Sequence, residues 1–271
     1  MGKIIGVCNQ KGGTAKTTSA INLSAYLGQQ GQKTLLVDMD PQGNATSGIG
    51  IDSNGKNSIY DVLSGKVKVE QSIYPTAYPN LDIIPADISL TGGEVELVNI
   101  PSRELLLREA LESIKNAFSF IIVDAPPSLG LLTVNVLTAA DSLIIPIQCE
   151  YYALEGVSKL INTVELIQNR LNPNLTIEGI LLTMADFRTK LTLQVIEEVR
   201  HFFKQKVFNV IVPRNVKLAE APSFGKPISV YEPTCVGSIS YLKVSQEIIK
   251  NNVHIDDREQ VLNQLYKNRS Y

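Results

Sequence analysis

The 271-residue chain is 44% hydrophobic, enough to bury one substantial core, which points to a single large α/β domain and not to two small ones. Its formal net charge of −2 and pI near 5.8 exclude a globally basic surface, so any nucleic-acid contact has to come from a local patch. Cys8, Cys149 and Cys235 lie far apart with no C-x-x-C pair, which argues against a disulfide framework, a zinc site or an iron–sulfur site within one chain, and for a reducing, cytoplasmic setting.

The N-terminal residues move straight into a strand-like run with no signal-peptide core, and no apolar stretch is long enough to span a bilayer, so a soluble protein is expected. Short Ile- and Val-rich runs recur at 4–8, 34–37, 81–84, 120–123, 142–147, 177–182 and 208–212, and they predict buried strands. Segments of helical period fall between many of them, at 19–29, 102–118, 129–140, 154–169 and 191–203. This alternation predicts an α/β fold with a mostly parallel central sheet flanked by helices on both faces. Ser102, after Pro101 and before Glu104, is the expected N-cap of its helix. Turn residues at 52–56 and 74–80 mark surface connections. Residues 1–250 are expected to form one domain and 251–271 a polar tail. In that tail Val261, Leu262, Leu265 and Tyr266 suit one more docked helix, while its mixed charge suits an anionic membrane poorly.

The segment Lys11, Gly12, Gly13, Thr14, Ala15, Lys16, Thr17 and Thr18 lies directly between the first expected strand and the first expected helix. Amides of a Gly-rich turn that opens onto a helix N-terminus converge on a polyphosphate, and the helix dipole favours the negative charge. Lys16 is placed to contact the β and γ phosphates, and the Thr17 hydroxyl to complete a Mg²⁺ shell. The common pattern G-x-x-x-x-G-K-[ST] is not met, because Gln10 and Ala15 occupy its glycine positions. The deviant pattern K-G-G-x-G-K-[ST]-[ST] is met everywhere except at Ala15. A Gly-rich turn without a ligand is the structural alternative.

Two hydrophobic runs end in acids, Asp38 and Asp40 before a Pro- and Gly-rich loop, and Asp124 before Ala125-Pro126-Pro127. One strand-end aspartate alone reads as a cap or turn residue. Because ligands of open α/β sheets sit at the carboxyl ends of strands, Lys16, Asp40 and Asp124 are together expected to converge there.

With the runs 38–47, 124–130, 146–156 and 213–216, the chain closely resembles the ParA/Soj partition ATPases over nearly its whole length to about Lys250. They belong to the deviant Walker A P-loop family, which also includes MinD and the nitrogenase iron protein. The resemblance implies a P-loop ATPase that binds ATP or ADP with Mg²⁺. It makes Lys11 the signature lysine that reaches the phosphates held by a second subunit of an ATP-dependent homodimer. It implies that Asp40 positions the attacking water, that Asp124 acts on Mg²⁺ through water, and that Pro213 and Asn215 belong to the adenine pocket. The four residues Lys11, Lys16, Asp40 and Asp124 then carry catalysis by positioning and charge neutralisation. The resemblance further implies nonspecific binding of double-stranded DNA through Arg188 and Lys217, release triggered by a ParB-type stimulator, a nucleoid-associated location in the cytoplasm and no stable membrane association. Lys190, Lys204, Lys206 and Arg214 extend that patch.

Ala15 stands where the family carries glycine. If its backbone needs φ > 0, the methyl group costs on the order of 1 kcal/mol, with nucleotide binding retained and hydrolysis or dimer closure impaired. Two other functions remain in view: a non-catalytic, nucleotide-switched regulator of a replication initiator, and a MinD-like ATPase that positions division factors at a membrane. A reductase or cofactor-insertion role of the iron-protein kind lacks suitably placed cysteines.

Overall fold

Alternate residues of each apolar run face opposite sides of one sheet, so the runs read as continuous hydrophobics because both sides are covered. Ile4, Leu35, Val37, Ile121, Val123, Leu143 and Ile180 pack into one apolar cluster. Their neighbours Ile5, Leu36, Ile122, Ile144 and Leu181 pack into another. The structure is a computed structural model that describes residues 2–150 and 153–252.

In chain order the elements are β1 (Lys3–Val7), α1 (Lys16–Gln29), β2 (Thr34–Asp38), α2 (Asn44–Gly48), α3 (Ile59–Leu63), β3 (Tyr74–Pro75), β4 (Leu81–Ile84), α4 (Ser89–Glu96), α5 (Leu106–Ile114), β5 (Phe120–Asp124), α6 (Leu131–Ala139), β6 (Ser142–Gln148), α7 (Ala153–Arg170), β7 (Thr176–Thr183), α8 (Lys190–Phe203), α9 (Val216–Glu220), α10 (Ile228–Tyr231) and α11 (Val236–Asn252). The seven strands run in the order β3-β4-β2-β5-β1-β6-β7. All neighbours are parallel except the short edge strand β3, which pairs antiparallel with β4. Leu107, Val136, Leu160 and Val199 bring α5, α6, α7 and α8 onto one face. Leu23 and Leu27 of α1, Leu218 of α9 and Tyr241, Val244 and Ile248 of α11 cover the other. The predicted parallel sheet with helices on both faces is therefore present.

Three local expectations are corrected. Residues 208–212 form no strand. Isolated bridges flank this stretch, Ile180 with Val207 and Ala185 with Pro213, and within it Phe208 N–H donates to the Ile180 carbonyl at 3.0 Å and Val212 N–H to the Leu182 carbonyl at 2.9 Å, but no continuous ladder forms. The Phe208 ring fills the space where a Cβ on Gly179 would stand, so a packed side chain holds the segment instead of a full ladder. Ser102 is not a helix cap, since it sits at φ 55° in a turn and α5 begins at Leu106. Asn135 of α6 supplies the capping oxygen, accepting from Leu107 N–H at 3.1 Å. The stretch 74–80 is not all connection, because Tyr74 and Pro75 form β3.

Tyr151, Tyr152 and the tail from residue 253 onward lie outside the described residues. No helix among the described residues is long and apolar enough to cross a membrane.

Candidate functional site

Strand register brings the predicted groups together. Val7 and Asp38 both stand opposite Asp124, so β1, β2 and β5 end level with one another. Residues 8–15 leave the end of β1 as a loop that is tied down from below. Asn9 Nδ2 donates to the Pro146 carbonyl at 2.6 Å and its Oδ1 accepts from Lys11 N–H at 3.0 Å. The Thr183 hydroxyl, at the end of β7, donates to the Thr14 carbonyl at 3.1 Å. Neither Asn9 nor Thr183 stood out in the sequence, because their partners, Pro146 of β6 and Thr14 of the loop, lie far away in the chain.

Gly13 at φ 73° and Ala15 at φ 67° both lie in the left-handed region. Ala15 is the N-cap of α1 and has no side-chain oxygen to offer the first-turn N–H groups; no acid lies in that turn. Those donors are left for a ligand. A Cβ built on Gly12 or Gly13 would meet nothing within 4 Å, so the loop opens onto free space. Lys16 is only 7% exposed, and its ammonium donates to the Lys11 carbonyl at 3.2 Å. Burial lowers its pKa, against the pull of Asp124, Cys8 and Asp40. The Lys11 ammonium has no hydrogen bond or ion pair among the described residues.

The two strand-end acids beneath the loop differ sharply. Asp38 accepts from Thr46 N–H at 2.8 Å, from the Thr46 hydroxyl at 2.7 Å and from Asp40 N–H at 3.1 Å. Burial still pushes its carboxyl up to about 6. Asp124 is fully buried and neither carboxylate oxygen has a hydrogen-bond partner. Burial and the Asp38 charge raise its pKa well above the usual range. The Thr17 hydroxyl and the Lys16 ammonium lower it, although Thr17 is not in hydrogen-bonding geometry. A buried acid with no protein donor, beside a hydroxyl and a cation, suits water molecules around a hard dication. Among the described residues no three His, Cys, Asp or Glu side chains gather as an all-protein metal cage. Asp40, 7% exposed, sits on the following loop and accepts from Gln42 N–H at 3.0 Å.

A mainly apolar cavity of about 280 Å³ adjoins the loop and shares Ala15 and Thr18 with it. Met184, Val212, Pro213, Asn215, Leu218 and Tyr241 are among its walls, a lining that fits a flat, weakly polar ring. Asn215 also caps α9, accepting from Lys217 N–H at 2.8 Å. Arg188 lies on the loop that leads into α8, and Lys217 in the first turn of α9, just after the 212–215 loop that lines this cavity. The bridge from Ala185 to Pro213 and the bond from Arg214 N–H to the Ala185 carbonyl at 3.0 Å join the two loops.

A family model described as an AAA domain matches residues 2–177. The sporulation initiation inhibitor protein Soj of Bacillus subtilis (strain 168) is 55% identical over 252 residues, which is 93% of this chain and 100% of that protein. The chromosome partitioning protein ParA of Myxococcus xanthus is 52% identical over 262 residues, 96% of this chain and 93% of that one. Among solved structures, cobyrinic acid a,c-diamide synthase from Mycobacterium smegmatis with bound ADP and magnesium superposes with a TM-score of 0.81 at 34% identity, covering 92% of this chain and 95% of that one. The cell division ATPase MinD of Pyrococcus furiosus superposes with a TM-score of 0.77 at 27% identity, covering 92% and 99%.

Proposed function

The chain belongs to the ParA/Soj family of chromosome-partitioning ATPases, and on that premise we propose that it is a nucleotide switch in which Mg²⁺-ATP joins two copies that bind duplex DNA, until a ParB-type partner stimulates hydrolysis. Residues 1–250 act as one ATPase domain in this reading. The observation that carries it is Asp124, buried without a donor next to Lys16 and Thr17 and beneath an uncapped helix N-terminus. Such a site is costly for a protein to keep unless a ligand completes it.

Each residue has a stated task. The amides from Gly12 to Thr18 hold the phosphates, Lys16 neutralises the β and γ groups, and Pro213 and Asn215 border the base. Thr17 and, through water, Asp124 hold Mg²⁺, whose charge supplies neutralisation of the phosphates. Asp40 orients the attacking water from its loop above β2. The Lys11 ammonium, without a hydrogen bond or ion pair among the described residues, reaches the phosphates of the second copy. Arg188 and Lys217 contact duplex phosphates, which locates the protein on the nucleoid in the cytoplasm without stable membrane association.

The test is size-exclusion with light scattering, with ADP or ATP and Mg²⁺. Wild type should dimerise with ATP only, Lys16→Ala should lose nucleotide, and Lys11→Ala should keep nucleotide and lose the dimer. Failure of either nucleotide to associate, even with Ala15→Gly, overturns the reading. Ala15 at φ 67° favours one second reading, a switch with binding but no turnover. Phosphate release measured with and without DNA and partner separates the two.

A further inference from the structure

The cations assigned to DNA are not free side chains, since each is engaged by an acid of its own chain. Arg188 Nε donates to Asp186 Oδ1 at 2.8 Å and Nη2 donates to Oδ2 at 2.6 Å, while the Arg188 backbone N–H also reaches Oδ1 at 3.1 Å. That planar fork is the one an arginine offers a phosphate, and here a carboxylate fills it. Hydrogen bonding to Arg188 holds the Asp186 carboxyl down at about 2, so the competitor stays charged at any working pH. Lys217 Nζ donates to Glu220 Oε2 at 2.9 Å, and the Tyr231 hydroxyl donates to the same oxygen at 2.9 Å. Tyr231 is itself fixed by stacking on Phe224, with ring centroids 5.0 Å apart and planes at 27°. Glu220 is thereby held in place by a second, uncharged donor.

We propose that Asp186 and Glu220 are built-in competitors for the DNA backbone, so that a duplex phosphate engages Arg188 or Lys217 only by displacing a carboxylate. The inference rests on the DNA-binding reading above and adds the residues that set its strength. Exposed ion pairs in water are weak, so each competitor lowers affinity by about two- to fivefold. A dimer presents both pairs twice, and the effects multiply where all four cations touch one duplex. A chain of net charge −2 then holds DNA loosely enough to let go.

The test uses the full chain with Mg²⁺-ATP and a fluorescent duplex of arbitrary sequence, with anisotropy read at two salt concentrations. Asp186→Asn and Glu220→Gln should each tighten binding about two- to fivefold at low salt, and the gain should shrink at high salt. Tyr231→Phe keeps every charge but frees Glu220, so it should tighten binding in the same direction by less. The gain from Asp186→Asn should vanish in an Arg188→Ala background, and that from Glu220→Gln in Lys217→Ala, because each acts through its partner. Glu198→Gln on α8 removes the same charge from a residue with no ion pair among those described, and should give no comparable gain. Gains that persist without the partner cation, or that Glu198→Gln matches, would reduce the effect to net charge and overturn the proposal. Binding that Arg188→Ala, Lys217→Ala abolishes but Asp186→Asn and Glu220→Gln leave unmoved would overturn it while sparing the DNA reading. Absence of binding in wild type and every variant would remove both.

Discussion

Replacing Ala15 with glycine probes the strained point of the loop. Ala15 sits at φ 67°, ψ 32° as the N-cap of α1, in a conformation that costs a residue with a Cβ about 1–2 kcal/mol. Glycine escapes that cost but loses about 0.4–1 kcal/mol through its greater freedom in the unfolded chain. The net gain for Ala15→Gly is about 0–1.6 kcal/mol, centred near 0.8, or roughly 2–3 °C in Tm at the centre of that range for a chain of this length. Ala15→Val should move the other way, because a β-branched side chain is still less compatible with positive φ. Thermal unfolding of the ligand-free protein, followed by circular dichroism, reads both changes. A glycine variant no more stable than wild type, beside a valine variant no less stable, would show that this residue is not held left-handed. The same glycine variant should raise turnover and the ATP-dependent dimer fraction if the methyl group hinders closure, and unchanged values of both would remove that idea.

Burial and the Asp38 charge raise the Asp124 pKa in the fold, which penalises the folded state at any pH above the unfolded carboxylate range, so Asp124→Asn, which cannot ionise, should stabilise the ligand-free protein by about 1–3 kcal/mol at pH 8. The extra stabilisation that Mg²⁺ adds to ATP in differential scanning fluorimetry should disappear in that variant; retention of it would acquit Asp124. Lys3→Met breaks the partly buried pair with Glu178, at 2.5 Å, and should cost about 1–3 kcal/mol at pH 7. Burial pushes the Glu178 carboxyl up, but Lys3, Asn252 and Ser142 more than reverse this and leave its pKa below the usual value. A depressed folded pKa gives stability that is present above the unfolded value and lost as pH falls through the folded one. The difference between wild type and Lys3→Met should therefore close below about pH 4, and a constant gap in urea melts across that range would contradict the assignment.

Much of the sheet was legible because burial on both sides leaves unbroken apolar runs, and six of the seven predicted runs are strands. The seventh, at 208–212, has the same composition, but whether it forms a ladder depends on where Phe208 packs, which is a tertiary fact. Likewise Ser102 has the local chemistry of a cap, yet Asn135 reaches Leu107 from a different helix and does the work. The loop, Lys16 and the strand-end acids were readable from spacing. Asn9, Thr183 and Thr46 were not, since their bonds run to Pro146, Thr14 and Asp38 across the fold. The pairs on Arg188 and Lys217 were within reach of the sequence, being two and three residues apart, but opposite charges at such spacing are too common to single out.

Two buried strand acids at opposite ends of the sheet, Glu178 and Asp124, are treated in opposite ways. At the amino ends of β1, β6 and β7, Asp141 accepts from Ile4 N–H and the Lys115 ammonium, each at 2.8 Å. Glu178 there accepts from Lys3, Ser142 and Asn252. Those bonds tie the first strand to the last described helix, which is a stabilising use of buried charge. At the carboxyl ends Asp38 of β2 is also bonded, by Thr46 and Asp40, but Asp124 of β5 has no donor, Lys16 bonds a single carbonyl, and α1 starts at a strained residue that cannot cap it. Burial alone does not separate the two acids, since Glu178, with a side chain 5% exposed, has three donors and Asp124, also buried, has none. What separates them is that the bonding of Glu178 is complete and that of Asp124 is not, and the proposed Mg²⁺-ATP would supply both kinds of partner, phosphates for the amides and a hydrated dication for Asp124.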